Sequence, residues 1–205
     1  REAGIDARAG HDAAQLPDGD DVEVVVSSAI AADNPEVLAA RDRGLRVMPR
    51  ADLLHELSAL KRTIAVAGAH GKTTTSSMTA HVLLGCGMDP GYLIGGELRT
   101  TGRNAAWGTG DWLVVEADES DRSMLALQVE VAVVTNVELD HHATYGSLAE
   151  VREVFREFLS GPADAVILDR PDLLELRPVG ATTPYDAHDL RLDADGSRMT
   201  WRGHD

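Results

Sequence analysis

The chain has 205 residues, 43% of them hydrophobic, which is enough for one large domain or two small ones around a packed core. Its formal net charge of −15 argues against a nucleic-acid partner, because nucleic acids are bound through clustered lysine and arginine. No apolar run approaches the roughly 20 residues that span a bilayer, so we expect a cytoplasmic protein that does not enter membranes.

The first sixty residues alternate strand and helix signals. Asn34 and Pro35 predict a helix cap and first turn. The β-branched run VEVVVSS predicts a strand that is buried on both faces. The predicted elements are a strand over 22–28, a helix over 34–40, a strand over 45–49 and a helix over 51–60. This order predicts that residues 1–61 are the C-terminal part of a Rossmann-like domain.

A second α/β series begins at residue 62. Its predicted elements are a strand over 63–67, a helix over 72–85, strands over 111–117 and 129–137, a helix over 147–159, a strand over 163–169 and a hairpin over 190–202 with its turn at Asp195 and Gly196. Cys86, the single cysteine, excludes a disulfide framework and a cysteine-based zinc site, and its apolar neighbours predict that it is buried. Residues 62–205 are thus predicted to form a second domain with a mostly parallel sheet.

The stretch VAGAHGKTTTSS (66–77) resembles a shortened phosphate-binding loop. The usual pattern G-x-x-x-x-G-K-[ST] would place a glycine at position 66, where this chain has Val66 and where the nearest glycine upstream of Gly71 is Gly68. A strand precedes the loop and a helix follows it, so backbone N–H groups and the helix N-terminus would face an anion. Lys72 would bind the β- and γ-phosphates of a nucleotide, and Thr73 would bind Mg²⁺. The alternative is a tight turn with a threonine cap.

Two later strands end in polar side chains at the predicted ligand-binding edge of the sheet. LVVEADESD (113–121) carries Glu116, Asp118 and Glu119, which are candidate Mg²⁺ ligands or else a solvated acidic loop. VVTNVELDHHATYG (133–146) brings together four more polar residues with a ligand-binding or a structural role, namely Asn136, Asp140, His141 and His142.

Together these motifs resemble those of the Mur ligases, the ATP-dependent amide ligases of peptidoglycan synthesis. GAHGKTTT is similar to the shortened loop G-T-H-G-K-T-T-T of the family branch that joins L-alanine to UDP-N-acetylmuramate. EADESD and TN-x-E-x-DH are similar to later motifs of that branch. The resemblance extends over essentially the whole chain, since VVVSSAI and the NPEV to PRA run are similar to the end of the family's UDP-binding domain.

The resemblance implies ATP and Mg²⁺ as cofactors. The implied ATP-binding residues are Gly68, Ala69, His70, Gly71, Lys72, Thr73 and Thr74. The implied metal ligands are Thr73 and Glu116 for a first Mg²⁺ and His141 for a second. Lys72, Asn136 and His141 are the implied catalytic residues, and His70 and Asn136 would lie along the path of the substrate.

The resemblance also implies the reaction. The carboxylate of UDP-N-acetylmuramate would attack the γ-phosphate of ATP, and the amine of L-alanine would then attack the resulting acyl phosphate. Family members have three domains, and the beginning of the first and the whole of the third have no counterpart in these 205 residues. The chain alone is therefore expected to show no appreciable ligation, and its sequence does not indicate an oligomeric state.

Two departures from the family pattern stand out. Ala69 replaces a threonine, which removes a hydroxyl group but no backbone donor. Residues 143–205 contain no lysine, so the carbamoylated lysine of several sister ligases is impossible here, in agreement with the alanine-adding branch. Alternative interpretations are a murein peptide ligase, disfavoured by Ser120 and Thr135, and a non-catalytic nucleotide-binding module.

Overall fold

A computed structural model describes residues 6–140, 144–177, 180–185, 188–193 and 196–200. The predicted site residues His141 and His142, and the turn residue Asp195, lie outside these ranges. The chain forms two compact units, residues 1–56 and 57–205. Within the described ranges, no helix has both the length and the apolar character needed to cross a bilayer.

The first unit is a β-α-β-α series, as the sequence predicts. Its elements are β1 (Glu23–Val26), α1 (Pro35–Asp42), β2 (Arg46–Pro49) and the beginning of α2 (Arg50–Ala59). Strands β1 and β2 pair in parallel, with Val24 opposite Val47. Asn34 caps α1, because its Oδ1 accepts a hydrogen bond from the N–H of Glu36 at 2.9 Å. The predicted burial of β1 on both faces is wrong within this unit, since half-buried and exposed residues alternate along it and Val25 is 40% exposed.

The second unit is built around a seven-stranded sheet. Its remaining elements in chain order are β3 (Arg62–Ala67), α3 (Lys72–Gly85), β4 (Gly91–Leu98), β5 (Arg103–Ala106), β6 (Trp112–Glu116), β7 (Val131–Val134), α4 (Leu148–Ser160), β8 (Asp164–Leu168), α5 (Pro171–Leu174), β9 (Ala181–Tyr185), β10 (His188–Asp193) and β11 (Gly196–Thr200). Strands β10 and β11 form a separate antiparallel hairpin, as predicted.

The strand order of the sheet is β5-β4-β6-β3-β7-β8-β9, and every pair except β4–β5 is parallel. After β6 on one side of β3, the chain crosses to β7 on the other side. Ligands of open α/β sheets bind outside the carboxyl ends of the strands at such a switch point. The register places Glu116 opposite Val66, and Val134 opposite Ala67, so β6 and β7 end level with the loop that follows β3.

The β4–β5 hairpin and the edge strand β9 of the seven-stranded sheet have no counterpart in the predicted elements. The sequence GYLIGGEL of β4 contains three glycines, which are depleted in strands and hide the pattern. The predicted burial of Cys86 is also wrong, because this residue ends α3 at the surface and is exposed.

Among the described residues, helix α4 packs in the larger of two clusters of buried hydrophobic residues. Ser147 caps it, since its Oγ accepts a hydrogen bond from the N–H of Glu150 at 3.3 Å. The apolar face of the helix is buried against the sheet and consists of Val151, Val154, Phe155, Phe158 and Leu159. This core fixes β3, β7 and β8, and through them the loop after β3.

Candidate functional site

The loop between β3 and α3 is tight because the chain after β7 lies directly against it. Gly68 has a φ of +142°, and a Cβ atom there would lie 2.1 Å from Thr135 Oγ1 and 2.9 Å from the carbonyl oxygen of Asn136. Gly71 caps α3 with a φ of +83°. Residues with side chains rarely adopt such angles, so both glycines are required by the backbone, and at Gly68 by the lack of space as well.

Thr135 and Asn136, which follow β7, hold the loop through the backbone of His70. The His70 N–H donates to Asn136 Oδ1 at 2.9 Å, and Asn136 Nδ2 donates to the His70 carbonyl oxygen at 2.8 Å. Thr135 Oγ1 lies 2.7 Å from the same carbonyl oxygen. Asn136, predicted as a catalytic residue, is therefore placed where it shapes the loop. The His70 side chain points to solvent with its Nε2 3.9 Å from Glu138 Oε2.

Lys72, the first residue of α3, turns its side chain back over the loop. Its Nζ donates to the Gly68 carbonyl oxygen at 2.7 Å and contacts Glu119 Oε2 at 2.9 Å and Oε1 at 3.2 Å. The side chains of Lys72 and Glu119 are only 13% and 3% exposed. The basic group predicted to bind phosphate is thus present at the loop, together with a buried carboxylate that the sequence assigned to a metal site.

Thr73 and Glu116 converge next to the loop, as the sequence predicts for a Mg²⁺ site. Thr73 Oγ1 donates to Glu116 Oε1 at 2.9 Å, and the Gly95 N–H donates to Glu116 Oε2 at 2.7 Å. A Cβ atom would lie 2.9 Å from Glu116 Oε2 if added to Gly95, and 3.0 Å from Thr73 Cγ2 if added to Gly96. The two glycines of β4 therefore make room for this pair, and glycines within a strand signal such a close approach.

A hydroxyl and a carboxylate oxygen are ligands that suit Mg²⁺, which usually takes one or two protein oxygens and completes its shell with phosphate and water. The pair thus fits the implied ion. Among the described residues, no group of three or more His, Cys, Asp or Glu side chains converges as a metal site. The expected ligand His141 falls outside these residues.

The carboxylates at the end of β6 and in the loop after it contact different partners. Asp118 Oδ1 accepts a hydrogen bond from the Ser120 N–H at 2.9 Å, and Glu119 pairs with Lys72. Glu116, the third acid that the sequence proposed as a metal ligand, accepts the hydrogen bond from Thr73. The sequence pattern locates all three at one sheet edge but does not separate their partners.

Two other predicted loop residues line the approaches to the site. Ala69 is half-buried, and Thr74 is exposed. Thr74 borders a cavity of about 540 Å³ between α3 and the segment that joins β4 to β5, together with Met78 and His81. His81 Nδ1 lies 2.7 Å from Thr100 Oγ1, which fastens that segment to α3.

The arrangement as a whole can hold a chain of phosphates and a divalent cation. The helix N-terminus and the backbone N–H groups of the loop attract anions, and Lys72 adds a positive charge. Thr73 and Glu116 provide the oxygen ligands beside it.

Two family descriptions match the chain. The Mur ligase family, catalytic domain, matches residues 1–62, and the Mur ligase middle domain matches residues 66–177. Because the second match alone covers more than half of the chain, this chain belongs to the Mur ligase family. The resemblance found in the sequence motifs is confirmed.

Curated relatives are similar over most of this chain. The UDP-N-acetylmuramate–L-alanine ligase of Acidovorax sp. (strain JS42) is 46% identical over 198 residues, which are 94% of this chain and 41% of that protein. The ligase of the same name from Variovorax paradoxus (strain S110) is 53% identical over 157 residues, 76% of this chain and 32% of that protein. The chain thus spans less than half of the length of these relatives.

Two crystal structures show the same fold. UDP-N-acetylmuramate-alanine ligase from Thermotoga maritima matches with a TM-score of 0.83 and 26% identity over 98% of this chain and 48% of that chain. The UDP-N-acetylmuramate:L-alanyl-gamma-D-glutamyl-meso-diaminopimelate ligase from Neisseria meningitides matches with a TM-score of 0.81 and 28% identity over 98% of this chain and 72% of that chain. The predicted α/β fold with a mostly parallel sheet is confirmed.

Proposed function

We propose that this chain provides the nucleotide-binding part of an ATP-dependent ligase that joins L-alanine to UDP-N-acetylmuramate in the synthesis of peptidoglycan precursors. The observation that carries the proposal is the convergence of Lys72, Thr73 and Glu116 on the shortened loop. The names of the Acidovorax and Variovorax relatives support this choice of substrates.

The two domains have separate roles in this proposal. Residues 1–61 are the C-terminal part of the domain that binds the UDP-linked substrate, and residues 62–205 belong to the domain that binds ATP. The compact units divide at residues 56 and 57, a few residues before the proposed boundary, because the end of α2 packs with the second unit through Ser58. A cytoplasmic location is part of the proposal as well.

The chemistry in this proposal is a transfer of the γ-phosphate of ATP to the muramyl carboxylate, followed by attack of the alanine amine on the acyl phosphate. Both partners of the first step are negatively charged, so catalysis depends mainly on electrostatic stabilisation. Lys72 would bind the β- and γ-phosphates. A Mg²⁺ ion held by Thr73 and Glu116 would neutralise charge on the phosphate oxygens.

The remaining predicted residues have supporting roles in the proposal. Asn136 fixes the backbone of His70, and through it the path of the loop around the phosphates. His141 is proposed as a ligand of a second Mg²⁺. Ala69 contributes a backbone N–H to the phosphates.

The test is a ligation assay on the longest product of the gene that encodes this chain. The assay contains Mg²⁺, ATP and UDP-N-acetylmuramate with L-alanine, glycine, L-serine or the tripeptide L-alanyl-γ-D-glutamyl-meso-diaminopimelate, and it measures both the amide product and ADP. We expect ATP-dependent ligation of L-alanine in preference to the others. ATP cleavage that none of the four amines stimulates would contradict the proposal.

A second candidate function is the ligation of that tripeptide to UDP-N-acetylmuramate. The similarity to the Neisseria ligase, whose name states this activity, is the observation that favours it. Preference for the tripeptide over L-alanine in the same assay would establish this second function and exclude the first.

A further inference from the structure

A buried ion pair joins Lys72 and Glu119 at the candidate site. The ammonium group of Lys72 has three N–H donors, and it contacts three oxygen atoms, namely the Gly68 carbonyl oxygen and both carboxylate oxygens of Glu119. All of its donors thus have partners within the protein. A phosphate that binds Lys72 must compete with Glu119 for at least one of them.

The position of Glu119 is built into the fold. Tyr145, which is 1% exposed, donates a hydrogen bond from its hydroxyl group to the Glu119 carbonyl oxygen. Thr144 Oγ1 donates to the neighbouring Ser120 carbonyl oxygen at 2.8 Å. The guanidinium group of Arg122 lies 5.5 Å from the centre of the Tyr145 ring. Thr144 and Tyr145 therefore hold the acidic loop that follows β6 in place, and the Glu119 side chain is only 3% exposed.

We propose that Glu119 is a positioning residue that holds the Lys72 ammonium group over the loop and makes the loop prefer the magnesium complex of a nucleotide to free polyphosphate. The inference rests on the proposed function, because it takes the loop to be a nucleotide site. The sequence motif suggested that Glu119 is a metal ligand, and we now assign it the positioning of Lys72.

The charges of the site explain the preference. Glu119 cancels the charge of Lys72 at short range, and Glu116 adds a further negative charge beside Thr73. A free triphosphate brings no positive charge with it, so both carboxylates repel it. A divalent cation bound to the triphosphate reduces this repulsion and gives Glu116 a partner. Since Glu119 is buried, solvent and salt screen its repulsion only weakly.

The first test observes Lys72 directly. The chain has two lysines, Lys61 and Lys72, so isotope labelling of lysine gives two ammonium signals in an NMR spectrum. Lys61 is an internal reference, because its Nζ donates to the carbonyl oxygens of Gly108 and Gly110. We expect Glu119→Gln to shift the Lys72 signal and speed its proton exchange, and Glu119→Asp to restore part of the slow exchange. An unchanged Lys72 signal in Glu119→Gln would overturn the inference.

The second test measures selectivity by calorimetry with Mg·ATP, with ATP in the presence of a chelator, and with inorganic tripolyphosphate. Removing one charge from the ion pair should strengthen binding of the two metal-free ligands about tenfold, with a smaller effect on Mg·ATP. Glu130→Gln is the matched control, because Glu130 pairs with Arg62 at the surface, near the amino ends of β3 and β7 and away from the loop. Equal changes for all three ligands, or weaker binding of the metal-free ones, would contradict the inference.

The two proposals fail in different ways. If the wild-type chain binds no nucleotide and Lys72 does not respond to Mg·ATP, the proposed function fails and the selectivity of Glu119 fails with it. If Mg·ATP binds and shifts the Lys72 signal while Glu119→Gln changes neither the signal nor the preference, only the inference on Glu119 fails.

Discussion

Asn136 pairs with the backbone of His70 in both directions. Its Oδ1 accepts a hydrogen bond from the His70 N–H at 2.9 Å, and its Nδ2 donates one to the His70 carbonyl oxygen at 2.8 Å. The side chain thus joins the loop after β3 to the segment after β7, beyond the point where the pairing of the two strands ends. The geometry of the loop after β3 therefore depends on a residue 66 positions later in the chain.

Replacing Asn136 by aspartate tests this pairing. The change removes the donor to the His70 carbonyl oxygen and sets a negative charge against it, so we expect the free energy of unfolding to fall by about 1–3 kcal/mol. The loop should also bind Mg·ATP about tenfold more weakly, because its backbone donors lose their alignment. Asn104→Asp on the exposed strand β5 adds the same charge and is the control. Equal effects of the two substitutions would contradict the role of Asn136.

Gly68→Ala should disrupt the loop between β3 and α3. The new Cβ would collide with Thr135 Oγ1, and the φ of +142° is unfavourable for alanine. We therefore expect the free energy of unfolding to fall by about 2–4 kcal/mol and the binding of Mg·ATP to weaken. Thermal unfolding and calorimetry measure the two effects.

Gly85→Ala is the matched control for that change. Gly85 lies in the last turn of α3, where a Cβ atom would meet no other atom within 4 Å. Alanine should raise stability there by about 0.5–1 kcal/mol, because it favours helix. Loss of stability at Gly85 together with tolerance at Gly68 would contradict the account of the loop.

Because of Tyr145, we expect the free energy of unfolding to fall at alkaline pH. Burial raises the pKa of its hydroxyl group above the ordinary value of 10.0. The folded chain therefore retains the proton that the unfolded chain releases, so stability is full below pH 10.0 and falls as the pH rises through the folded-state pKa.

Tyr145→Phe should lower stability at neutral pH by about 0.5–1.5 kcal/mol, through loss of the hydrogen bond to Glu119, and should make the alkaline decline shallower. Burial raises the pKa of Tyr185 as well, so part of the decline should remain in this variant. Urea unfolding at neutral pH and above pH 10.0 measures both effects. An alkaline limb as steep as that of the wild type would contradict the assignment.

Arg177 should matter for stability and not for nucleotide binding. Its guanidinium group is buried and donates to the carbonyl oxygens of Leu159, Pro162 and Ala163, which end α4 and lead to β8. Arg177→Met should cost about 2–4 kcal/mol, since it leaves these carbonyl oxygens without their donor. Arg170→Met, at a side chain that is 52% exposed, should change stability by about 0.5 kcal/mol or less. Equal losses would contradict the structural role of Arg177.

Much of the fold follows from local sequence signals, because they act within a few residues. The predicted cap Asn34 and the predicted bounds of α3 are confirmed for this reason. The β4–β5 hairpin was not predicted, since its glycines are selected by the space they leave for Thr73 and Glu116, which are distant in sequence.

The site was predictable to a similar degree. The order of the motifs brings Lys72, Thr73 and Glu116 to one sheet edge, and the pairing of Thr73 with Glu116 is observed. The partner of Glu119 could not be predicted, because a strand-end motif fixes the edge on which a carboxylate lies and not the direction in which its side chain turns. That direction depends on Tyr145, which binds the backbone of Glu119 from another loop.

The two lysines of the chain provide the most direct test of whether the shortened loop is a nucleotide site. Lys72 donates to the carbonyl oxygen of Gly68 in the loop that follows β3. Lys61 directly precedes β3, at the opposite end of that strand, and its Nζ lies 5.0 Å from the centre of the Trp107 ring. Calorimetry with Mg·ATP compares the wild type with Lys72→Met and Lys61→Met. We expect Lys72→Met to weaken binding about 10- to 100-fold and Lys61→Met to leave it unchanged. Unchanged binding in Lys72→Met would contradict a nucleotide site at this loop.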